Sequence, residues 1–168
     1  MREWPPCGGC SRSFMKIAAR KEIFKNCKGL TSVVLGENTK LSYAMFVGSG
    51  LETVDIYEKI EIPEYCFALC EDLTVVNIYN SLVGIKEGAF SECPKLERIN
   101  MHGNVGYFGD QVFYSCTGLK SIILPNNSLT LGGYCFYKCE SLQEVYFDSE
   151  TMINKIDGVT YRLITFSS

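Results

Sequence analysis

Two cysteines three residues apart, Cys7-Gly-Gly-Cys10, form the pair in this chain best spaced for chemistry. Such a pair can supply half of a zinc site or a redox-active dithiol. Zinc needs two further ligands, and the chain holds neither a second C-x-x-C nor a second histidine. A dithiol redox centre needs a βαβ setting, and a repeat array follows instead. The pair therefore reads as a local cap or disulfide, with thiol oxidoreduction through Cys7 and Cys10 as the enzymatic alternative. His102 is the sole histidine, so any Ser-His-Asp or Cys-His arrangement would have to run through one strand position. No phosphate-binding glycine loop or dinucleotide fingerprint occurs. These residues assign no catalytic group, no metal and no cofactor. Asn126-Asn-Ser128 is a lone glycosylation sequon.

The chain has 168 residues, enough for one domain with a substantial core. Hydrophobic residues make up 46% and charged residues 21%, a globular balance. A net charge of −3 argues against a nucleic-acid partner or a general attraction to anionic membranes. No apolar run reaches the roughly 20 residues of a membrane span. The first residues, MREWPPCGGCSRSF, lack the apolar core of a secretory signal, so a cytoplasmic location is compatible with the chain.

One shape recurs. Phe24, Phe46, Phe67, Phe90, Phe113 and Phe136 stand 21 to 23 residues apart. Three after each phenylalanine comes Cys27, Ser49, Cys70, Cys93, Cys116 or Cys139. One before it comes Ile23, Met45, Cys66, Ala89, Val112 or Cys135. Beyond the cysteine column come three apolar columns: Leu30 to Leu142, Val33 to Val145, and Leu35 to Phe147. The β-branched alternation in TVDI, VVNI, RINM and SIIL reads as one short parallel strand per repeat. The Phe-x-x-Cys segment reads as a turn or short helix opposite. A four-residue strand cannot bury its own face, so neighbouring copies must stack to share a core. Repeat two, FVGSGLETV, is one residue short, and a local irregularity in the coil is expected there.

This pattern, A-F-x-x-C-x-x-L-x-x-I-x-L at a period near 23, resembles the BspA-type leucine-rich repeat. The resemblance implies a right-handed repeat solenoid, α/β or mainly β, of about six repeats. It also implies binding without catalysis: cell adhesion or protein binding by a secreted or cell-surface protein, with an intracellular scaffold as the alternative. Residues 17–152 form the array. Residues 1–16 read as an N-terminal cap or tail. Residues 153–168 read as one or two closing strands, with Asp157-Gly158 as a turn, or as a truncated edge.

Seven of the nine cysteines fall in two repeat columns that also accept Ser, Ala, Val, Ile or Met, which marks small packing slots. Stacked copies about 4.8 Å apart with parallel side chains disfavour disulfides between them. The outward residues of each strand are the candidate binding surface of the concave sheet. They include Asp55, Tyr57, Asn77, Tyr79, Arg98, Asn100, His102 and Tyr146, types suited to an interface with a protein partner.

Overall fold

The computed structural model describes residues 21–36, 39–125 and 130–147, together with the backbone of a strand at 162–165. Cys7, Cys10, the expected cap at 1–16 and the turn at Asp157-Gly158 lie outside these residues. Nine short strands follow in order: β1 Ser32–Leu35, β2 Thr53–Ile56, β3 Glu61–Ile62, β4 Val75–Ile78, β5 Gly84–Ile85, β6 Arg98–Met101, β7 Ser121–Leu124, β8 Glu144–Phe147 and β9 Arg162–Thr165. Every pairing is parallel. The main sheets run β1-β2-β4-β6 and β7-β8-β9, and β3-β5 forms a two-stranded ladder on a second side of the coil. There is no helix among the described residues. The chain is a parallel β-solenoid.

The strands alternate by side-chain direction, as period-2 geometry requires. Val33, Leu35, Val54, Ile56, Val76 and Ile78 point into the buried core, while Val34, Asp55 and Asn77 point out. Opposite the strands, the phenylalanine rings stack from coil to coil. Centroids lie 5.2 Å apart for Phe24–Phe46 and Phe46–Phe67, 5.3 Å for Phe67–Phe90, 5.9 Å for Phe90–Phe113 and 5.5 Å for Phe113–Phe136. Interplanar angles stay between 3° and 13°.

The side of the coil opposite the sheet is built from turns, not a helix. Two residues per repeat, two before and two after each phenylalanine, sit at positive φ: Glu22 and Asn26, Ala44 and Gly48, Tyr65 and Leu69, Gly88 and Glu92, Gln111 and Ser115, Tyr134 and Lys138. An L-residue pays a steric penalty there. The conformation aims alternate N–H groups along the solenoid axis. Phe46 donates to Cys66 O at 2.8 Å, Phe67 to Ala89 O at 2.8 Å and Phe90 to Val112 O at 3.0 Å. This second ladder, repeated at each coil, offsets the strain.

Repeat two keeps its strand in register on both sides, so its missing residue leaves the sheet intact. The shortened turn runs through Gly50. Its N–H donates to Cys27 O at 3.1 Å, and its Cα passes so close to the coil below that a Cβ would sit 2.0 Å from Lys28 O.

The sheet breaks elsewhere, between β6 and β7. In the intact part, the residue after each strand donates its N–H to the coil below: Tyr57 to Leu35 O at 2.9 Å, Tyr79 to Ile56 O at 2.8 Å, His102 to Ile78 O at 2.9 Å. Pro125 holds that position in the fifth repeat and has no N–H to give Met101 O. The phenylalanine spacing is also widest at this junction, 5.9 Å.

The cysteine column has a polar logic besides its size. Cys70 Sγ donates to Phe46 O at 3.3 Å, Cys93 to Phe67 O at 3.2 Å, Cys116 to Phe90 O at 3.1 Å and Cys139 to Phe113 O at 3.0 Å. Ser49, the one serine in the column, meets Cys70 Sγ at 3.4 Å. Cys66, Cys70, Cys93, Cys116, Cys135 and Cys139 are buried thiols without disulfide partners. Burial pushes the Cys93 thiol well above its ordinary value and Cys139 to about 12. Thiolate is the reactive form, so these groups are held inert. Cys93 in the native protein should resist iodoacetamide over hours and react in urea at the rate of a free thiol. Mass spectrometry finding comparable native-state labelling would contradict this packing.

Candidate functional site: the outward face of the first sheet

The register of β2, β4 and β6 sets the candidate residues in columns. Thr53, Val75 and Arg98 are aligned, as are Asp55, Asn77 and Asn100. In-register parallel stacking brings like side chains together, and here they bond. Asn77 Nδ2 donates to Asp55 Oδ1 at 2.7 Å, and Asn100 Nδ2 donates to Asn77 Oδ1 at 2.7 Å. Each amide gives one N–H to the coil below, and Asn77 also offers its oxygen to the coil above, a short polar ladder along the solenoid axis.

The next column is aromatic. Tyr57 stacks on Tyr79 at 4.5 Å and 12°, and Tyr79 stacks on the His102 ring at 5.5 Å and 7°. Tyr57 and Tyr79 are nonetheless 49% and 44% exposed, because their edges face outward. Partial desolvation in the stack and the nearby Asp55 carboxylate push the Tyr79 hydroxyl above its ordinary range. Arg98 is exposed at the margin of these columns, with no carboxylate within ion-pair distance among the described residues. Rings and amides held in this way are ordered before any ligand arrives, which lowers the entropy cost of binding.

Seven of the eight candidates thus share one sheet. Tyr146 does not join them. It stands on β8, in the other sheet beyond the break, and its hydroxyl donates to Glu144.

A second aromatic surface lies on the turn side and was not among the sequence candidates. Tyr43, Tyr134 and Tyr137 are exposed there. Tyr114 stacks on Tyr137 at 5.7 Å, and Lys138 Nζ lies 5.6 Å from the Tyr114 centroid. The available signal was tyrosine directly after Phe113 and Phe136 and two or three residues before Phe46, Phe67 and Phe136. Among the described residues, no group of three or more His, Cys, Asp or Glu could hold a metal ion. None of the helices long and apolar enough to cross a membrane occurs there either.

The stacked coils with their recurring Phe, Cys and Leu columns match the model of the BspA type leucine rich repeat region, in six copies, over residues 13–62 and 39–161. The chain belongs to the BspA-type leucine-rich repeat family. Among solved structures, this BspA-type chain is similar to a leucine-rich repeat protein from Bacteroides ovatus ATCC 8483, at 22% identity and a TM-score of 0.45. The match covers 74% of this chain and 45% of that one, so the chain spans less than half the length of that relative. Comparison with curated proteins finds no match.

Proposed function

We propose that this BspA-type repeat protein is a protein-binding module, of the kind used in adhesion, that holds its partner on the outward face of β2, β4 and β6 and catalyses no reaction. The observation that carries the reading is the pair of parallel ladders, Tyr57–Tyr79–His102 and Asp55–Asn77–Asn100. Stacking and hydrogen bonding fix both, and no other element among the described residues covers the Tyr57 and Tyr79 edges. Exposed tyrosine offers contact area at small entropy cost, and Arg98 adds a planar fork of donors.

Two features speak for binding over catalysis. The His102 ring, on which a hydrolytic arrangement would depend, is packed face to face on Tyr79. The buried thiols are held protonated, the opposite of what a nucleophile needs.

Tyr79→Ala and Arg98→Ala should each weaken binding of a partner recovered from source cells by about ten- to a hundredfold, leaving the melting temperature nearly unchanged. Lys95→Ala, away from the face and paired with exposed Asp72, should do little. Calorimetric titration with the purified partner checks this. Normal binding by both face variants would remove the site.

A further inference from the structure

The aromatic column ends at Tyr57 on the side of the first coil. Tyr57 rests on Tyr79 through one ring face. Its other face is turned toward the first coil, where the register β1–β2 and the Tyr57 N–H bond to Leu35 O bring Gly36 opposite it. Gly36 supplies no ring, and a Cβ at that position would find nothing within 4 Å. Half-buried Asp55 stands in the adjoining column. Its Oδ1 accepts from Asn77, and no lysine or arginine lies within ion-pair distance of it among the described residues. Glu22, Glu61, Glu64, Glu71 and Asp72 each face a lysine, whereas Asp55 belongs, among the described residues, to the carboxylates with no cation within ion-pair distance.

We propose that this slot, bounded by the Tyr57 ring, the Asp55 carboxylate and the vacant side of Gly36, receives the guanidinium of an arginine carried by the protein partner. The ladder advances by 4.5 and 5.5 Å per ring. A guanidinium is planar and fits that spacing as one more layer, with its face on Tyr57 and an N–H directed to Asp55. An ammonium is compact and strongly hydrated, so it meets the carboxylate but not the ring plane. The assignment rests on the sheet-face reading and adds the chemistry of the partner's anchor.

The probe is N-acetyl-Gly-Arg-Gly-amide, titrated into the full chain and followed by amide resonances, beside its lysine and citrulline counterparts. The arginine peptide should move the Gly36, Asp55 and Tyr57 amides saturably at roughly millimolar concentration. The lysine peptide should bind several-fold more weakly, and the planar but uncharged citrulline peptide should give no saturable shift. Asp55→Asn, which keeps an oxygen for Asn77, and Gly36→Tyr, which extends the stack into the vacant space, should each weaken the arginine peptide about tenfold or more. Absent shifts with the arginine peptide, equal shifts with citrulline, or shifts that survive Asp55→Asn would overturn the proposal. Asp55→Asn decides the matter alone if Gly36→Tyr disturbs the fold. Failure here while Tyr79→Ala still weakens the partner removes the slot and keeps the face. A saturable arginine effect beside normal partner binding by Tyr79→Ala keeps the slot and removes the face.

Discussion

Phe90→Ala should lower the free energy of unfolding by about 3–5 kcal/mol in urea titrations followed by circular dichroism. The Phe90 ring is fully buried and stacks on two others, Phe67 at 5.3 Å and Phe113 at 5.9 Å. Truncation removes the transfer energy of the ring, leaves a cavity between coils and breaks both stacking contacts. The backbone cannot collapse into the gap easily, because Phe90 N–H is tied to Val112 O and Phe67 N–H to Ala89 O. Coils stabilise each other through their neighbours, so a lesion in the middle uncouples the two halves. Phe24→Ala should cost distinctly less. Phe24 is only partly buried, and Phe46 is its one ring partner among the described residues. Equal losses for the two variants would argue against a stacked array.

Gly50→Ala should cost about 3 kcal/mol, a large effect for one methyl group. The added carbon would lie 2.0 Å from Lys28 O and 2.8 Å from Lys28 C, and both are backbone atoms that cannot rotate away. Relief requires the second coil to rise from the first, at the expense of the Gly50 N–H bond to Cys27 O. Gly36→Ala is the matched control. Its new methyl would meet nothing within 4 Å, so its effect should stay within about 0.5 kcal/mol. The difference between the two midpoints of thermal unfolding is the quantity to measure, and similar midpoints would contradict the close approach at Gly50.

The coil itself was legible because its determinants are side-chain types at fixed spacing. Phe, Cys, Leu and the two aliphatic columns each name a buried slot, and the strand register follows from aligning them. The turn side was legible only as non-strand. Positive φ is expected at glycine or asparagine. Here it falls on Ala44, Tyr65, Leu69 and Gln111, whose types carry no such mark. The interaction with the next coil selects that conformation, and one repeat read alone cannot reveal it.

Repeat two shows a related limit. Its shortened spacing pointed to a local irregularity, which lies in the turn at Gly50 while β2 pairs on both sides. The sheet is interrupted between β6 and β7, where Pro125 lacks the N–H that its counterparts give to the coil below. The candidate residues were legible as columns of the repeat, while the division of those columns between two sheets was not. Tyr146 has the right position within its repeat but lies across the break. The open end of the aromatic column was present in the sequence as Gly36, and only the register made it a neighbour of Tyr57.

The most direct test of the binding account is photo-crosslinking from two exposed tyrosine positions on different sides of the coil. A benzophenone side chain replaces either Tyr79, on the outward sheet face, or Tyr137, on the turn side. Each protein is illuminated with the partner purified from source cells. The account predicts a covalent adduct from position 79 and none from position 137. An adduct from position 137 alone would contradict it and move the binding surface to the turn-side tyrosines.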